Sequence, residues 1–173
     1  DSLQIKGDFS NKKSLLKFID QINKYGPIDI LINNAGDTKY KSNLQEYTYE
    51  GISKILSVNA IAPFLLCKEV IRGMKERQWG RIVNISSIGV KYGGSYNTID
   101  YTFSKAALES FTASLAKQYT ADNILINCIR VGVTETAMHI KNPKSMSKRI
   151  SLIPINRMAQ PVEIAKVVYS LGS

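Results

Sequence analysis

Gly26-Pro27-Ile28-Asp29-Ile30-Leu31-Ile32-Asn33-Asn34-Ala35-Gly36 is the stretch that decides the fold. The Gly-Pro pair ends a helical pattern. Residues 28–32 then form a short apolar run of the kind found in buried parallel strands, and a loop around Gly36 follows at once. Upstream, Leu3-Gln4-Ile5-Lys6-Gly7-Asp8-Phe9 alternates as a short strand ending at an Asp. Ser10 or Asn11 can cap a helix to about Tyr25, with Leu15, Phe18, Ile19 and Ile22 on one face.

Downstream, the spacing predicts helix from about Leu44 to Gln78, bent between Asn59 and Pro63. A buried strand is expected over 81–86, then a glycine-containing loop over 89–100 and a helix from Tyr101 to about Tyr119. A strand over 124–131 and a proline-opened helix over 161–171 complete the pattern. Strands alternating with helices imply βαβ units, and so an α/β fold with a doubly wound parallel sheet. Residues 141–151 are polar and charged and read as a mobile or partly helical lid.

Bulk composition narrows the function. The 173 residues, 44% hydrophobic and 21% charged, suit one domain with a substantial core. No apolar run reaches the ~18 residues of a membrane span, and Asp1-Ser2-Leu3-Gln4 lacks the basic and apolar regions of a signal peptide. A cytoplasmic protein that does not bind membranes is the expectation. Cys67 and Cys128 sit in apolar runs with no metal-like spacing, and His139 is the only histidine. A histidine-rich metal site or a Ser-His-Asp hydrolase is therefore not expected, and no metal is predicted. The net charge of +9 comes from scattered basic residues. Its densest cluster, Lys141, Lys144, Lys148 and Arg149, has no interleaved aromatics, so nucleic-acid binding is not expected.

In open parallel sheets, ligands bind where the strands end. The strand ends deliver Asn33 to Gly36, then Ser86-Ser87, then Gly132 through Thr136. The helix beginning near Tyr101 places Lys105 one turn later on the same face. A tyrosine hydroxyl, with a pKa near 10, needs ~4 kcal/mol of preferential phenolate stabilisation to titrate near neutrality. An ammonium one turn away and a helix N-terminus each supply part of that. Tyr101 could then exchange a proton with a carbonyl or alcohol oxygen that Ser87 also hydrogen-bonds. That chemistry suits hydride transfer.

Taken together these segments resemble the short-chain dehydrogenase/reductase family, of the single-domain type typified by 3-oxoacyl-(acyl-carrier-protein) reductases. Asn33-Asn34-Ala35-Gly36, Ser57-Val58-Asn59, Ile82-Val83-Asn84-Ile85-Ser86-Ser87 and Tyr101-Thr102-Phe103-Ser104-Lys105 stand in that family's order and near its spacings. Asn156-Arg157-Met158-Ala159-Gln160-Pro161 matches its tail segment. The resemblance implies an NAD- or NADP-dependent oxidoreductase acting on a small-molecule carbonyl or alcohol. It casts Tyr101 as proton donor and acceptor, Lys105 as ribose holder and depressor of the Tyr101 pKa, and Ser87, rather than Ser86, as substrate orienter. Asn59 would bend its helix and hold a water linked to Lys105.

For the cofactor it implies contacts from Asp8 and Phe9 to adenine and from Asn33, Ala35 and Gly36 to the adenosine ribose. Thr134 and Thr136 would touch the carboxamide and phosphate region, beside Tyr101 and Lys105. Val131-Gly132 replaces the family's usual Pro-Gly, which loosens the loop bearing those threonines.

The family's glycine-rich phosphate loop and its closing strand have no counterpart, so residues 1–173 are expected to be one partial NAD(P)-binding Rossmann-like domain. In the strand order 3-2-1-4-5-6, the strand at 3–9 would then stand ~14 Å from that at 28–32, at about 4.8 Å per strand. These 173 residues are thus expected to be incomplete relative to the working polypeptide. A non-catalytic or partner-dependent binding protein on the same fold is the competing expectation. A homotetramer or dimer is expected from the long helices near 60–77 and 101–119. Substrate identity and the choice of NAD or NADP are not legible.

Overall fold

The computed structural model describes residues 2–137 and 146–173. Its centre is a parallel sheet of three strands, β1 (Ile30–Asn33), β2 (Gly80–Ser87) and β3 (Ile124–Val131), in the order β1-β2-β3. The register sets Asn33 beside Asn84 and Ser87 beside Val131. All three strands therefore end along one edge.

Helices α1 (Lys12–Ile22), α2 (Tyr49–Leu56) and α3 (Ala62–Glu76) precede β2. The short α4 (Gly89–Tyr92) and the long α5 (Ile99–Tyr119) lie between β2 and β3, and α6 (Met146–Ser151) and α7 (Pro161–Gly172) come last. Asn11 caps α1 by accepting the Ser14 N–H at 3.0 Å, as one of the two expected caps. Gly26 leaves the following turn at φ +101°, a conformation glycine reaches without steric cost.

One face of the sheet packs on α3 and α5. Cys67, Val70, Ile71 and Met74 of α3 meet Ile82, Ile124 and Ile126 of the sheet, closed by Phe111 and Leu115 of α5. A second cluster joins Leu15 and Ile19 of α1 to Ala62 and Leu66 of α3. On the other face, Ile32, Ile85 and Val131 share a cavity with Ile164, Ala165 and Val168 of α7. Helices thus cover both faces, and the sheet is doubly wound.

Two expectations are corrected. Residues 3–9 form no strand; they lie outside regular structure as far as a turn at Phe9. Alternation alone cannot make a strand, because each N–H and C=O needs a ladder partner, and β1 ends the sheet on that side. Nor is β1 buried on both faces: Ile30 and Ile32 are 45% and 48% exposed. The face they share is covered mainly over β2 and β3.

The bend foreseen between Asn59 and Pro63 is a π-helical turn, Ser57–Ile61, joining α2 to α3. Pro63 has no N–H to return to the Asn59 carbonyl in the i→i−4 pattern, so the ladder shifts by one residue there. Among the described residues, no helix is long and apolar enough to cross a membrane.

Candidate active site

At the edge where the strands end lies a cavity of about 690 Å³. Gly36 arrives from β1, Ser87 from β2, Gly132, Thr134 and Thr136 from beyond β3, and Tyr101 and Lys105 from the first turns of α5. The segments that seemed separate in the chain therefore meet at one place.

The strand pleat turns the two serine side chains to opposite faces of the sheet. Ser86 turns to the helical side, where its hydroxyl donates to Glu109 Oε1 at 2.6 Å. Glu109 is held in turn by a bidentate pair with Arg130, which keeps its carboxyl below the usual range. Ser87 turns the other way, accepts the Gly89 N–H at 3.2 Å, and faces the cavity.

Lys105 is 97% buried, yet its ammonium donates to one protein acceptor, the Ile85 carbonyl at 2.6 Å. A lysine carries three donors, so capacity remains for a ligand. Burial lowers its pKa to about 8, so it is still mostly charged near neutrality.

The Tyr101 phenol behaves differently from the expectation. Its pKa is raised, first by burial, with Ser87 acting in the opposite sense and Tyr40 adding to the rise. The Lys105 ammonium lies 5.9 Å from the Tyr101 ring centroid and is engaged by Ile85. Burial therefore sets the direction, opposite to the expected depression.

Asn59 is fully buried in the π-turn. Its Nδ2 donates to the Asp37 carbonyl at 2.8 Å and to Ser104 Oγ at 2.9 Å, and its Oδ1 accepts the Asp37 N–H at 2.9 Å. Both amide protons are engaged, so the carboxamide braces the loop after β1 against α5 rather than donating to a water. Gly36 passes beside it. A Cβ on Gly36 would sit 3.4 Å from Asn59 Oδ1 and 3.6 Å from Lys105 Nζ, so the glycine keeps open the space between them.

The other cofactor expectations divide. Thr134 and Thr136 line the cavity, the former paired with Ala159 in a parallel bridge. Asn33 does not reach it with its side chain. Its carboxamide turns into the helical face, where it donates to Asn84 Oδ1 at 2.8 Å, and Asn84 donates on to Thr112. Asn34 takes its place in the wall. Ala35 is exposed and outside the lining, because the chain turns between Asn34 and Gly36.

Asp8 is also exposed and away from the cavity. Its carboxyl accepts the Ser10 N–H and hydroxyl, which lower its pKa. The Phe9 carbonyl accepts from Ser57 at 2.6 Å and its ring packs edge-on against Phe18. Of the predicted lid, residues 141–145 lie outside the described residues, as does His139, and Arg149 of α6 lines the cavity.

Sequence reasoning missed Thr38, Tyr40 and Thr98, which also line the cavity. Among the described residues, the Thr38 hydroxyl is buried without a partner. Nothing local marks these residues, since they come from loops whose proximity only the fold creates.

Comparison with known proteins places these features in context. The whole chain, residues 1–173, matches the family model described as enoyl-(acyl carrier protein) reductase. It is 37% identical over 165 residues to the 3-oxoacyl-(acyl-carrier-protein) reductase of Aquifex aeolicus, covering 94% of this chain and 66% of that one. It is 31% identical over 176 residues to the acetoacetyl-CoA reductase of Cupriavidus necator, covering all of this chain and 70% of that one. The crystal structure of an NADP-bound 3-oxoacyl (acyl-carrier-protein) reductase from Agrobacterium tumefaciens superposes with a TM-score of 0.86 at 25% identity. That likeness covers 98% of this chain and 67% of that one. The chain spans about two thirds of the length of these relatives, 66% and 64% for two of the reductases it matches.

Proposed function

Because this chain belongs to the short-chain dehydrogenase/reductase family, we propose that it forms the catalytic part of an oxidoreductase that moves hydride between NAD(P)(H) and a carbonyl or hydroxyl carbon. The observation that carries this reading is the convergence of Ser87, Tyr101, Lys105 and the Gly36 backbone on one cavity. When bound, the nicotinamide cofactor supplies or accepts the hydride. The residues present fit its ribose end: Lys105 has donors free beside a glycine-lined gap, and Gly132 leaves open space next to Thr134.

The chain's own groups handle the proton. Ser87 and the Tyr101 phenol face the same cavity and can hold one substrate oxygen between them. Tyr101 donates to that oxygen as a carbonyl is reduced, or takes its proton as an alcohol is oxidised. A raised phenol pKa suits the donor role, because the proton is present throughout the neutral range. The charged Lys105 stabilises the phenolate that is left, and the Asn59 brace keeps α5 in register with the loop that carries Gly36.

The substrate proposed is a 3-oxoacyl thioester, with a sugar, polyol or steroid-like alcohol as the competing classes. Support comes from the named activities of the similar reductases and from the basic balance of the chain, +9, which matches an acidic carrier or a phosphorylated thiol ester. Residues 1–173 are proposed to be one partial NAD(P)-binding domain of a cytoplasmic protein.

Assembly as a homotetramer or dimer is proposed through the outer faces of α3 and α5. Phe64 there stacks edge-on with Phe111 while remaining 45% exposed, and Phe103 is 54% exposed. Light scattering is expected to give a multimeric mass, and a monomer would remove that part.

Activity is tested with Tyr101→Phe in the full native polypeptide, using NADPH and acetoacetyl-CoA as probes. Turnover is expected to fall ~10²-fold or more while NADPH fluorescence still reports binding. Equal turnover in both forms would overturn the role of Tyr101, and no turnover in either would favour the non-catalytic alternative.

A further inference from the structure

The first turn of α5 is held by a segment more than fifty residues upstream. The Lys41 N–H donates to the Asn97 carbonyl at 3.0 Å, and the Asn97 carboxamide donates back to the Lys41 carbonyl. The Tyr47 hydroxyl accepts the Ile99 N–H at 2.9 Å and donates to the Tyr96 carbonyl at 2.8 Å. It supplies the cap that Thr98 does not provide with its own side chain.

Inside this brace lies an ion pair. Lys41 Nζ is 3.5 Å from Asp100 Oδ2, with side chains 13% and 1% exposed. Asp100 Oδ1 accepts the N–H of Tyr101 at 2.9 Å, so the carboxylate touches the residue that carries the phenol. Lys41 also donates to the Lys39 carbonyl at 3.0 Å and lies 5.2 Å from the Tyr47 ring centroid. A pair buried this deeply is a weak source of stability, because desolvating both charges offsets their attraction. Its place, between the loop after β1 and the residue preceding Tyr101, suggests a different use.

We propose that Lys41 and Asp100 are positioning residues for Tyr101: together they lock the first turn of α5 so that the phenol faces the cavity, and their opposite charges cancel beside it. This rests on the reading of Tyr101 as the acid/base group. The other charged or titratable groups that share the cavity with that phenol are Lys105 on α5, Tyr40 on the loop after β1, Arg149 on α6 and Tyr169 on α7. Ser87 faces it from β2 as a neutral hydroxyl. All of these stay unchanged when only the pair is altered.

The test uses the full native polypeptide and the variants Lys41→Met, Asp100→Asn and the double substitution. Tyr101 ionisation is followed by NMR of tyrosine labelled with ¹³C at Cζ, assigned with Tyr101→Phe. In parallel, the pH profile of NADPH-linked acetoacetyl-CoA reduction is recorded. Lys41→Met strands a carboxylate at the Tyr101 backbone N–H, and ionisation of the phenol is expected to move up by about one pH unit. Asp100→Asn strands an ammonium, and the move is expected to be down by about as much. The double variant returns close to wild type.

Opposite shifts that cancel in the double variant support the proposal. Slower turnover with no shift, or with shifts of one sign, overturns it and leaves a structural brace only. Should Lys41→Met not fold, the near-isosteric Asp100→Asn carries the test through its downward shift. Opposite NMR shifts in a protein without any turnover would uphold the pair and discard the catalytic reading. Normal turnover without the shifts would do the reverse.

Discussion

Asn59 donates to the hydroxyl of Ser104 at 2.9 Å across 45 residues of sequence, joining the π-turn between α2 and α3 to the helix that carries Tyr101 and Lys105. Ser104 passes the chain back to the Tyr101 carbonyl at 2.7 Å. The loop after β1, the π-turn and α5 are thereby fixed to one another by a single buried carboxamide.

Replacing Asn59 by Ala leaves the Asp37 N–H and carbonyl without their side-chain partner in a part-buried site and removes the donor to the Ser104 hydroxyl. A loss of ~2–3 kcal/mol is expected in urea unfolding, together with at least a tenfold fall in turnover as α5 loses its register. A variant as stable as wild type would show that the carboxamide is replaceable by water.

The two serines of β2 are expected to separate cleanly. Ser87→Ala removes a hydroxyl from the cavity and is expected to lower kcat/KM ~10²-fold with little change in unfolding. Ser86→Ala removes a hydrogen bond to the Glu109 carboxylate and is expected to cost ~1 kcal/mol while turnover stays within about twofold. Reversed results would mean that the other serine serves the substrate.

Lys105 links stability to alkaline pH. Its folded pKa of about 8 lies below the ordinary lysine value, so between about 8 and 10.5 the unfolded chain binds the extra proton. Stability then rises with pH across that window, and the penalty for burying the ammonium is felt in full below it. Burial also raises the Cys67 thiol to about 12 and the Cys128 thiol to about 11, which opposes this trend at high pH. Comparing wild type with Lys105→Met cancels the Cys67 contribution, while that of Cys128, which the Lys105 charge lowers, grows in the variant. The variant is expected to be the more stable at pH 7 by a few kcal/mol, with the gap closing by pH 10, in parallel denaturant titrations.

The loop before α5 offers a steric test. Gly93 and Gly94 both have positive φ, +78° and +65°, but a Cβ on Gly93 meets open space. One on Gly94 would collide with the Thr102 hydroxyl and lie 3.2 Å from its Cβ. Gly93→Ala is expected to cost ~1 kcal/mol of backbone strain. Gly94→Ala should cost more, and also slow turnover, because Thr102 adjoins Tyr101. Equal costs in thermal unfolding would mean that the loop simply moves aside.

Much of this protein was written in local patterns. The 3.6-residue spacing of Leu15, Phe18, Ile19 and Ile22 placed α1, the run at 124–131 matches β3 residue for residue, and Pro161 opened α7. The four-residue step from Tyr101 to Lys105 put both on one face of α5, since helix geometry alone fixes it. What the tertiary structure decided is everything that needs a partner distant in sequence. Residues 3–9 alternate like a strand but have none to pair with. Asn33 sits in the right motif, yet Asn84 draws its side chain inward. Tyr101 has its lysine one turn away, but burial raises its pKa, and the ammonium donates to the Ile85 carbonyl. The Lys41–Asp100 pair has no local signature at all. Periodicity is a property of neighbours in the chain; pairing, burial and ionisation depend on which segments the folded sheet and helices bring together.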